Sequence, residues 1–444
     1  MRAAVLVGLC VVTRLVAQDT SAIDRGVRIG IMYHPGVRPG LVLLPEPAAA
    51  SDSFRAIVAR DLDYSDRFEI ISLPGSDSMV ADGPAAAGPH AALATPGLNY
   101  PLYQALGADF AIGVSLTGDT VRVTVHDVTA GTIRRVFRTA LPPLDSPRFR
   151  LVVHRIADDV VAATLGTQGI AATRVLFVMD GKLYQIDADG AGLKELRATP
   201  GREILSPAWA RDGQHLSYME FWEGHGQLFI EDQAGRRRAV TDGKTLDFTP
   251  AFSPDGRTLA FSRATEEGTD IYTINTVNNC CVQRLTVGRF SDNLSPIYSP
   301  DGQRIVFVSS RAGLPQVYVM AADGTDQQLF APFDYGATGS SNAPDWAPDG
   351  QTVAFHRDVA GTLQVFVLDV RSRTVRQLTS LGRNSDPTFA PDSRHLAFVS
   401  DRAGYRQLWV IDMETGRIRP ILEQSGVRLP AWSPQLPEPA ASTP

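Results

Sequence analysis

The sequence predicts a small mixed α/β domain followed by a six-bladed β-propeller, and three observations support this fold class. A phrase close to Pro-x-aromatic-x-Pro-Asp-Gly recurs through the second half of the chain, with copies that begin at Pro207, Pro250, Pro296, Pro344, Pro387 and Pro430. The copies lie 43, 46, 48, 43 and 43 residues apart, which is the length of a four-stranded propeller blade. The residues before the first copy have no such repeat and interleave strand patterns with helix patterns.

The second copy shows how one blade is built. Pro250–Ser253 begins a strand, and Ser253–Gly256 forms a turn, because Pro254 presets the first turn angle and Gly256 tolerates positive φ. Three β-rich segments complete the blade, at Thr258–Ser262, Asp270–Ile274 and Val282–Leu285. The other copies repeat this order, so each predicts a blade of four strands.

The truncated sixth copy predicts how the ring closes. After Pro430 the chain supplies only one inner strand, so three strands of the last blade must come from elsewhere. Three strand patterns stand just before the first copy, at Val175–Val178, Leu183–Ile186 and Leu193–Leu196. We therefore expect the C-terminal strand to pair with strands at about 174–197, which leaves no open sheet edge. The propeller is assigned to residues 171–434, followed by a disordered tail at 435–444.

The front third, residues 23–170, predicts a small α/β domain with a mixed sheet. Phe54, Ile57, Val58 and Leu62 recur at helical spacing, and a second apolar stripe runs along a helix at Pro147–Leu165. A short helix and the strands are predicted at Tyr100–Leu106, Val27–Ile31, Gly40–Leu44, Phe68–Ile71, Phe110–Leu116, Val121–Asp127 and Ile133–Thr139. The Ala-, Gly- and Pro-rich segment 74–97 is expected to be a mobile loop.

The amino terminus and the composition exclude several classes of protein. Residues 1–22 have the form of a secretory signal peptide, with Arg2 before an apolar run and a cleavage site after Ala17 or Ala22. The net charge of −6, without a basic stripe, argues against nucleic-acid binding. No later apolar stretch is long enough to cross a bilayer, so no direct membrane span is expected.

Catalytic motifs are missing from the sequence. It contains no G-x-S-x-G nucleophile elbow, no H-E-x-x-H and no glycine-rich phosphate loop, and its eight histidines are scattered singly. The turn aspartates are expected to build turns rather than a metal ring; they are Asp212, Asp255, Asp301, Asp349 and Asp392. We therefore predict no enzyme, no metal and no cofactor. An enzyme would require residues dispersed around the central channel.

Two further features of the repeats are assigned to the scaffold. Arg263, Arg311, Arg357 and Arg402 follow the second strand of their blades, and this repetition favours a structural role over a basic binding site. Cys280 and Cys281 are adjacent and have no further metal-ligand partners nearby, so they form either a vicinal disulfide or two thiols in a hairpin.

The candidate binding surface consists of the segments just before each repeated proline. Each segment joins an outer strand to the next inner strand, so all six open onto one face around the channel, where recognition is commonly placed. Several combine charged with apolar side chains, which suits a protein interface. The candidate residues are Leu246, Asp247, Phe248, Arg289, Phe290, Asp292, Asn293, Leu294, Asn342, Arg383, Asn384 and Asp386.

The front domain carries the most specific resemblance to a known family. The matching segments are Val27–Ile31, Pro39–Pro45, Ile57–Phe68, Asn99–Asp109, Thr173–Phe177 and the closing Leu429–Pro434. Together with the propeller repeat, they resemble the TolB family of the Tol–Pal envelope system. The resemblance covers nearly the whole chain after the predicted signal peptide.

The resemblance implies a non-enzymatic periplasmic adaptor that supports outer-membrane integrity and envelope constriction at division. In the family, the propeller binds Pal, a peptidoglycan-associated lipoprotein, and a flexible amino-terminal segment reaches the inner-membrane protein TolA. By that analogy residues 23–38 form the switch segment here, with the apolar anchors Val27, Ile29, Ile31 and Met32. A monomer is expected. The alternative is a stand-alone propeller enzyme or glycan-binding protein that uses the central channel.

Overall fold

The computed structural model describes residues 38–44, 52–73, 98–332 and 339–437, which all belong to one compact unit, Arg38–Pro444. The predicted signal peptide, the switch anchors Val27, Ile29, Ile31 and Met32, and the predicted loop 74–97 lie outside the described residues.

The front part of the described chain is a five-stranded mixed sheet with three helices. Its elements are β1 (Gly40–Leu43), α1 (Asp52–Tyr64), β2 (Glu69–Ile70), α2 (Tyr100–Ala105), β3 (Phe110–Thr117), β4 (Thr120–Asp127), β5 (Thr132–Ala140) and α3 (Phe149–Leu165). The strand order is β2-β1-β3-β4-β5. Strand β1 runs parallel to β2 and β3, whereas β3, β4 and β5 are antiparallel. This confirms the predicted small α/β part.

Helices α1 and α3 cover one face of this sheet. The apolar stripe predicted for α1, which includes Phe54 and Leu62, is buried against α3 and the sheet. From the sheet, Val121, Val123 and Val125 point into the same core, because alternate residues of a strand share a face. Helix α3 ends where Gly166 takes the left-handed conformation with φ 69°.

The rest of the chain consists of short antiparallel strands. The first groups are β6 (Arg174–Met179), β7 (Lys182–Asp187), β8 (Lys194–Arg197), β9 (Glu203–Trp209), β10 (His215–Trp222), β11 (His225–Asp232), β12 (Arg237–Ala239), β13 (Asp247–Phe252), β14 (Thr258–Thr265), β15 (Gly268–Asn275) and β16 (Gln283–Arg284). They are followed by β17 (Ser291–Tyr298), β18 (Arg304–Ser309), β19 (Gln316–Ala321), β20 (Gln328–Leu329), β21 (Ser341–Trp346), β22 (Thr352–Val359), β23 (Thr362–Asp369) and β24 (Val375–Gln377). The last are β25 (Asn384–Phe389), β26 (His395–Ser400), β27 (Gln407–Asp412), β28 (Ile418–Leu422) and β29 (Arg428–Trp432).

These strands form a β-propeller of four-stranded sheets together with one eight-stranded sheet. In the eight-stranded sheet, β13–β16 and β17–β20 are joined by a short parallel pairing in which Gly268 opposes Ser291 and Thr269 opposes Asp292. The strands that carry the repeated prolines are β9, β13, β17, β21, β25 and β29, and we call them the inner strands. The second strands bring large aromatic rings into the core: Tyr218, Phe261, Phe307, Phe355 and Phe398 are fully buried.

The predicted closure of the ring is confirmed. Strand β29 pairs antiparallel with β6 in a sheet of order β29-β6-β7-β8, so the last strand of the described residues completes a sheet begun more than two hundred residues earlier. Trp432 is buried in this sheet, and its Nε1–H donates a 2.8 Å hydrogen bond to Thr173 Oγ1.

The first residues of the predicted disordered tail are packed instead. Leu436 is buried, and its carbonyl accepts a 2.6 Å hydrogen bond from Arg155 on α3. Gln435 Nε2 lies 3.2 Å from an Asp158 oxygen on the same helix. The packed chain therefore extends past Pro434, because α3 offers partners to the segment that leaves β29.

The two alternatives for the cysteines are also decided. Cys280 and Cys281 form a vicinal disulfide in the turn between β15 and β16. That turn contacts the neighbouring sheet, where Arg238 Nη1 lies 2.8 Å from Asn279 Oδ1. Among the described residues, the structure has no helix with the length and apolarity needed to cross a membrane.

Candidate protein-binding face

The inner strands surround a central cavity of about 440 Å³. Each carries a residue in the left-handed conformation immediately before its proline, with φ between 48° and 55°: Ser206, Thr249, Ser295, Ala343, Asp386 and Leu429. A residue before proline ordinarily prefers an extended conformation, so this position is strained. The pairing with the second strand shifts register at the same place, which defines a β-bulge. Because every inner strand repeats it, the bulge belongs to the scaffold.

The predicted role of the turn aspartates is confirmed. In the turn after β13, Asp255 Oδ1 accepts hydrogen bonds from Ser253 Oγ at 2.6 Å and from the Arg257 N–H at 3.1 Å. Asp301 accepts the corresponding bonds from Ser299 and Gln303. These carboxylates are engaged within their own turns, and we call the side of the propeller that carries them the turn face.

The α/β part packs on the turn face. His395 Nε2 on β26 lies 3.2 Å from Asp66 after α1, and Arg67 Nη2 lies 3.2 Å from Asp392. Arg394 Nη2 donates a 3.1 Å hydrogen bond to the Asp66 carbonyl and also contacts Asp412 at 2.6 Å. The opposite side of the propeller carries the segments that lead into the inner strands and the hairpins between second and third strands; we call it the loop face.

A second buried network also joins the two parts. His154 on α3 lies 2.7 Å from Asp61 on α1, and Arg150 on α3 contacts Asp187 at 3.0 Å and Asp189 at 2.7 Å. Burial alone lowers the pKa of the His154 imidazole, but hydrogen bonds to Asp187 and Asp61 raise it to about 10.

Two buried groups combine histidine with carboxylates in a spacing that metal ions use. They are Asp61, His154 and Asp189, and Asp66, His395 and Asp412. In both groups an arginine already contacts a carboxylate, Arg150 on Asp189 and Arg394 on Asp412, each within 2.7 Å. The guanidinium group of an arginine therefore already pairs with a carboxylate in each group. Both groups are explained as ion-pair networks between the α/β part and the propeller.

The predicted loop-face residues divide into three classes of exposure. Arg289, Phe290, Asp292 and Arg383 are exposed. Half-buried positions are Leu246, Phe248, Leu294, Asn342 and Asp386. Asp247, Asn293 and Asn384 are completely buried, so the prediction that they contact a partner directly needs correction.

The buried residues hold the arginines that lie near or just after the ends of the second strands. Asp247 accepts hydrogen bonds from Arg263 Nε at 2.6 Å and Nη2 at 2.9 Å. Asn293 accepts one from Arg311 at 2.9 Å, and Asn384 accepts one from Arg402 at 3.0 Å. The register explains this, because each buried residue lies within the first three residues of its inner strand and opposes a residue at or near the end of the second strand.

The same arginines also cover aromatic rings of their own sheets. The Arg263 guanidinium lies 5.2 Å from the Phe261 ring and 5.1 Å from the Tyr272 ring. Arg402 lies 5.2 Å from Phe398 and 5.1 Å from Trp409. The structural role predicted for these arginines is thereby confirmed, since each is held by a buried acceptor and by ring faces.

Phe290 is the most prominent side chain of the loop face. Its exposed fraction is 91%, and its backbone has φ 56°. The conformation is fixed by a 2.7 Å hydrogen bond from the Phe290 N–H to the Glu267 carbonyl. A bulky residue rarely adopts positive φ, and such strain is concentrated at functional sites. The local backbone therefore holds an aromatic ring in solvent.

Other exposed apolar side chains share this face and were missed by sequence reasoning. They are Val287, Leu314, Val359, Leu381 and Tyr405, with exposed fractions between 41% and 74%. Leu314 and Tyr405 lie in hairpins between second and third strands and Val359 ends the second strand β22, whereas the predicted face comprised only the segments before the prolines. The hairpin spacing could have revealed them, because these hairpins point to the same side as those segments.

The geometry defines a β-propeller protein with a small α/β part on its turn face and an apolar loop face. The family model described as "TolB beta propeller domain" matches residues 162–334 and 335–437, so the chain belongs to that family.

Curated relatives agree with this assignment, and a solved structure shares the fold. "Tol-Pal system protein TolB" of Bordetella pertussis (strain Tohama I) is 28% identical over 286 residues, which cover 61% of this chain and 60% of the relative. The protein of the same name from Bordetella parapertussis is 30% identical over 236 residues, 50% of this chain and 52% of the relative. The chain thus spans 60% or less of these curated relatives. The crystal structure of TolB from Acinetobacter baumannii shares the fold, with a TM-score of 0.75, 23% identity, and coverage of 90% of this chain and 98% of that one.

Proposed function

We propose that this chain is a non-enzymatic periplasmic adaptor of a Tol–Pal system, which supports outer-membrane integrity and envelope constriction. Its propeller binds a peptidoglycan-associated lipoprotein through the loop face, and its amino-terminal segment binds a TolA-like inner-membrane protein. The names of the curated relatives support a role in a Tol–Pal system, and membership of the TolB propeller family supports the propeller architecture. The observation that carries the binding face is the exposed, conformationally fixed ring of Phe290.

The proposal includes a domain division and a blade count. Residues 1–22 are a signal peptide, 23–170 an α/β domain with the switch segment 23–38, and 171–434 a propeller. The short parallel pairing inside the eight-stranded sheet supports counting it as two blades, since each half has its own inner strand. With the other four-stranded sheets this gives a propeller of six blades, in a protein that acts as a monomer.

The contact residues follow from exposure. We assign direct contacts to Arg289, Phe290, Asp292 and Arg383, with the half-buried set Leu246, Phe248, Leu294, Asn342 and Asp386 at the rim of the channel. Asp247, Asn293 and Asn384 act indirectly, because they fix the start of the inner strands. In interfaces that combine an exposed aromatic side chain with charged groups, a few such side chains contribute most of the binding energy.

The test compares two exposed apolar residues on opposite faces. Phe290→Glu should weaken binding of the purified lipoprotein from the same organism by roughly 30-fold, the effect of losing a ~2 kcal/mol anchor. The control is Val277→Glu, a residue 78% exposed in the turn that follows β15 on the turn face. Isothermal titration measures both. Equal affinities for Phe290→Glu and the unsubstituted protein would remove the loop face from the proposal.

A separate experiment addresses the amino-terminal segment. Deletion of residues 23–38 should abolish binding of the soluble domain of a TolA-like protein and leave the loop face intact. Surface plasmon resonance with both partners distinguishes the two sites. Retained TolA binding in the deletion would contradict the assignment of Val27, Ile29, Ile31 and Met32 as anchors.

The alternative, a channel that binds a glycan or small molecule, has one observation in its favour. Asp345 lines the central cavity, and burial raises the pKa of its carboxyl group to about 6. However, this carboxylate accepts a 2.7 Å hydrogen bond from the Phe389 N–H and so joins two inner strands. Thermal unfolding in the presence of a glycan tests this alternative. A glycan that raises the melting temperature of the unsubstituted protein, but leaves that of the Asp345→Asn variant unchanged, would favour it.

A further inference from the structure

Strand β5 is an edge strand of the five-stranded sheet that the structure describes. It ends the strand order β2-β1-β3-β4-β5, and within the described residues it pairs only with β4. It is nine residues long, whereas β2 at the other edge has two. Long edge strands offer unpaired backbone groups to other chains, and proteins commonly protect them.

The register shows which backbone groups face outward. The Leu141 N–H donates a 2.6 Å hydrogen bond to the Asp119 carbonyl, so this opposed pair is of the hydrogen-bonded type. In an antiparallel ladder the two types of pair alternate. Val136 and Arg138, which oppose Thr124 and Arg122, therefore direct their backbone N–H and C=O groups away from β4.

The side chains of the same residues form an exposed apolar and basic surface. Val121, Val123 and Val125 of β4 point into the helix-covered core, so their neighbours point to the other face. Ile133 and Val136 of β5 are on that other face with exposed fractions of 55% and 40%.

Two arginines oppose each other across the last two strands on this face. Arg122 and Arg138 are both exposed and directly opposite in the register. In the part of the chain that the structure describes, no ion pair involves either one, whereas the nearby Arg134 contacts Asp127 at 3.2 Å. Like charges directly opposite in a sheet are unfavourable, so an anionic group between them would be stabilised.

We propose that β5 is a docking edge for an extended acidic segment of a partner protein, which adds to the sheet as a sixth strand. The partner's backbone pairs with the outward groups of Val136 and Arg138, as in β-strand addition generally. Two residues of the partner strand point to the same face of the sheet as Val136. One is apolar and covers Val136, and the other is acidic and neutralises Arg122 and Arg138. A second copy of this chain is a poor occupant, because pairing two β5 strands would bring these arginines together.

This interaction does not depend on the loop face or on the switch segment. The edge lies in the α/β part, and its residues are separate from Phe290 and from the segment 23–38. The proposed function and this inference can therefore fail independently.

The experiment uses the full chain and a labelled ten-residue peptide in which Thr alternates with Val and Glu, so that Val and Glu lie two residues apart on one face. The same peptide with Lys in place of Glu is the matched probe. Fluorescence anisotropy should show the Glu peptide binding at least about tenfold more tightly than the Lys peptide. Equal affinity for the two peptides would overturn the proposal.

Two variants separate the backbone from the charge contribution. Val136→Pro removes an outward N–H while leaving the bonds to β4, since proline is tolerated at sheet edges, and should weaken Glu-peptide binding about tenfold. Arg138→Glu should weaken it similarly and improve binding of the Lys peptide. The control Arg376→Glu, on the exposed strand β24, should change neither.

The remaining outcomes are also decisive. If Val136→Pro does not fold, as judged by circular dichroism, the exposed Arg138→Glu variant alone decides the matter. Undiminished Glu-peptide binding by Arg138→Glu overturns the proposal. A dimer of the unsubstituted chain in sedimentation that Val136→Pro abolishes would also overturn it, because a second copy would then occupy the edge.

Discussion

His395 on strand β26 lies 3.2 Å from the Asp66 carboxylate, although the two residues are 329 positions apart in the sequence. His395 belongs to the propeller and Asp66 to the turn after α1, so the contact joins the two parts of the molecule. Both side chains are almost completely buried. Asp392 lies 2.8 Å from the other ring nitrogen, so the imidazole is held between two carboxylates.

Removing one partner of this contact should destabilise the protein. Asp66→Asn takes a carboxylate away from His395 and from Arg417, which contacts it at 2.8 Å. Breaking a buried ion pair from one side costs about 3–5 kcal/mol, so the free energy of unfolding should fall by about that amount. Urea denaturation measures the change. As a control, Asp242→Asn removes an exposed ion pair with Lys244 and should cost under about 1 kcal/mol.

The stability of the protein should decrease in alkaline solution because of its buried histidines. The pKa of His154 is raised to about 10 in the folded chain, whereas an unfolded histidine has a pKa of about 6.5. The folded state therefore retains a proton that the unfolded state loses. The stabilisation is complete below pH ~6.5 and is lost as the pH rises towards 10, by at most about 1.4 kcal/mol per pH unit.

Urea denaturation at pH 6, 7.5 and 9 tests this dependence. His395 should contribute with the same sign: burial alone lowers the pKa of its imidazole, but the carboxylates of Asp392 and Asp66 raise it overall. The slope between pH 7.5 and 9 should become smaller in His154→Gln than in the unsubstituted protein. An unchanged slope in His154→Gln would contradict the assignment.

Arg263, near the end of the second strand β14, should be needed for stability only while residue 247 is a carboxylate. Arg263→Met leaves Asp247 buried without its partner and should lower the free energy of unfolding by about 3–5 kcal/mol. Replacing both, as Arg263→Met with Asp247→Leu, should recover most of the loss, because apolar pairs of similar volume are often neutral. Calorimetric or urea unfolding of the single and double variants measures the coupling. If the double variant is no more stable than Arg263→Met, the ion pair does not explain the effect.

Closure of the ring should depend on Trp432. Its ring is buried in the β29–β6 sheet, and its Nε1–H is bonded to Thr173, so Trp432→Ala should cost about 3–5 kcal/mol. Tyr405→Ala, at a loop-face position that is 52% exposed, is the control and should change stability by about 0.5 kcal/mol or less. Thermal unfolding compares the two. A small effect of Trp432→Ala would show that the closing strand contributes little.

Much of the fold follows from the sequence because its signals are local. The repeated prolines predicted the inner strands, and the truncated copy predicted that β29 pairs with β6. Helix α3 was predicted at 147–165 and is observed at Phe149–Leu165, since an apolar stripe at helical spacing fixes its buried face. The outer strand predicted at Val282–Leu285 is shorter, at Gln283–Arg284, because few residues there pair with β15.

The candidate site was only partly predictable, because exposure is set by residues distant in the sequence. Asp247 and Phe290 were both predicted to contact a partner, yet Asp247, the first residue of β13, is completely buried and Phe290, just before β17, is 91% exposed. The difference depends on Arg263, which holds Asp247, and on the Glu267 carbonyl, which holds the Phe290 backbone. Neither contact can be predicted from the type of side chain alone.

The sequence by itself determined the period, the turns and the closure, because these depend on the proline, aspartate and glycine of each copy and on alternation within strands. Only the tertiary structure decided which face of the propeller the α/β part covers, since that follows from buried ion pairs such as Arg67–Asp392, 325 residues apart. It also decided that the residue before each repeated proline takes positive φ, a strain that surrounding contacts maintain against the local preference.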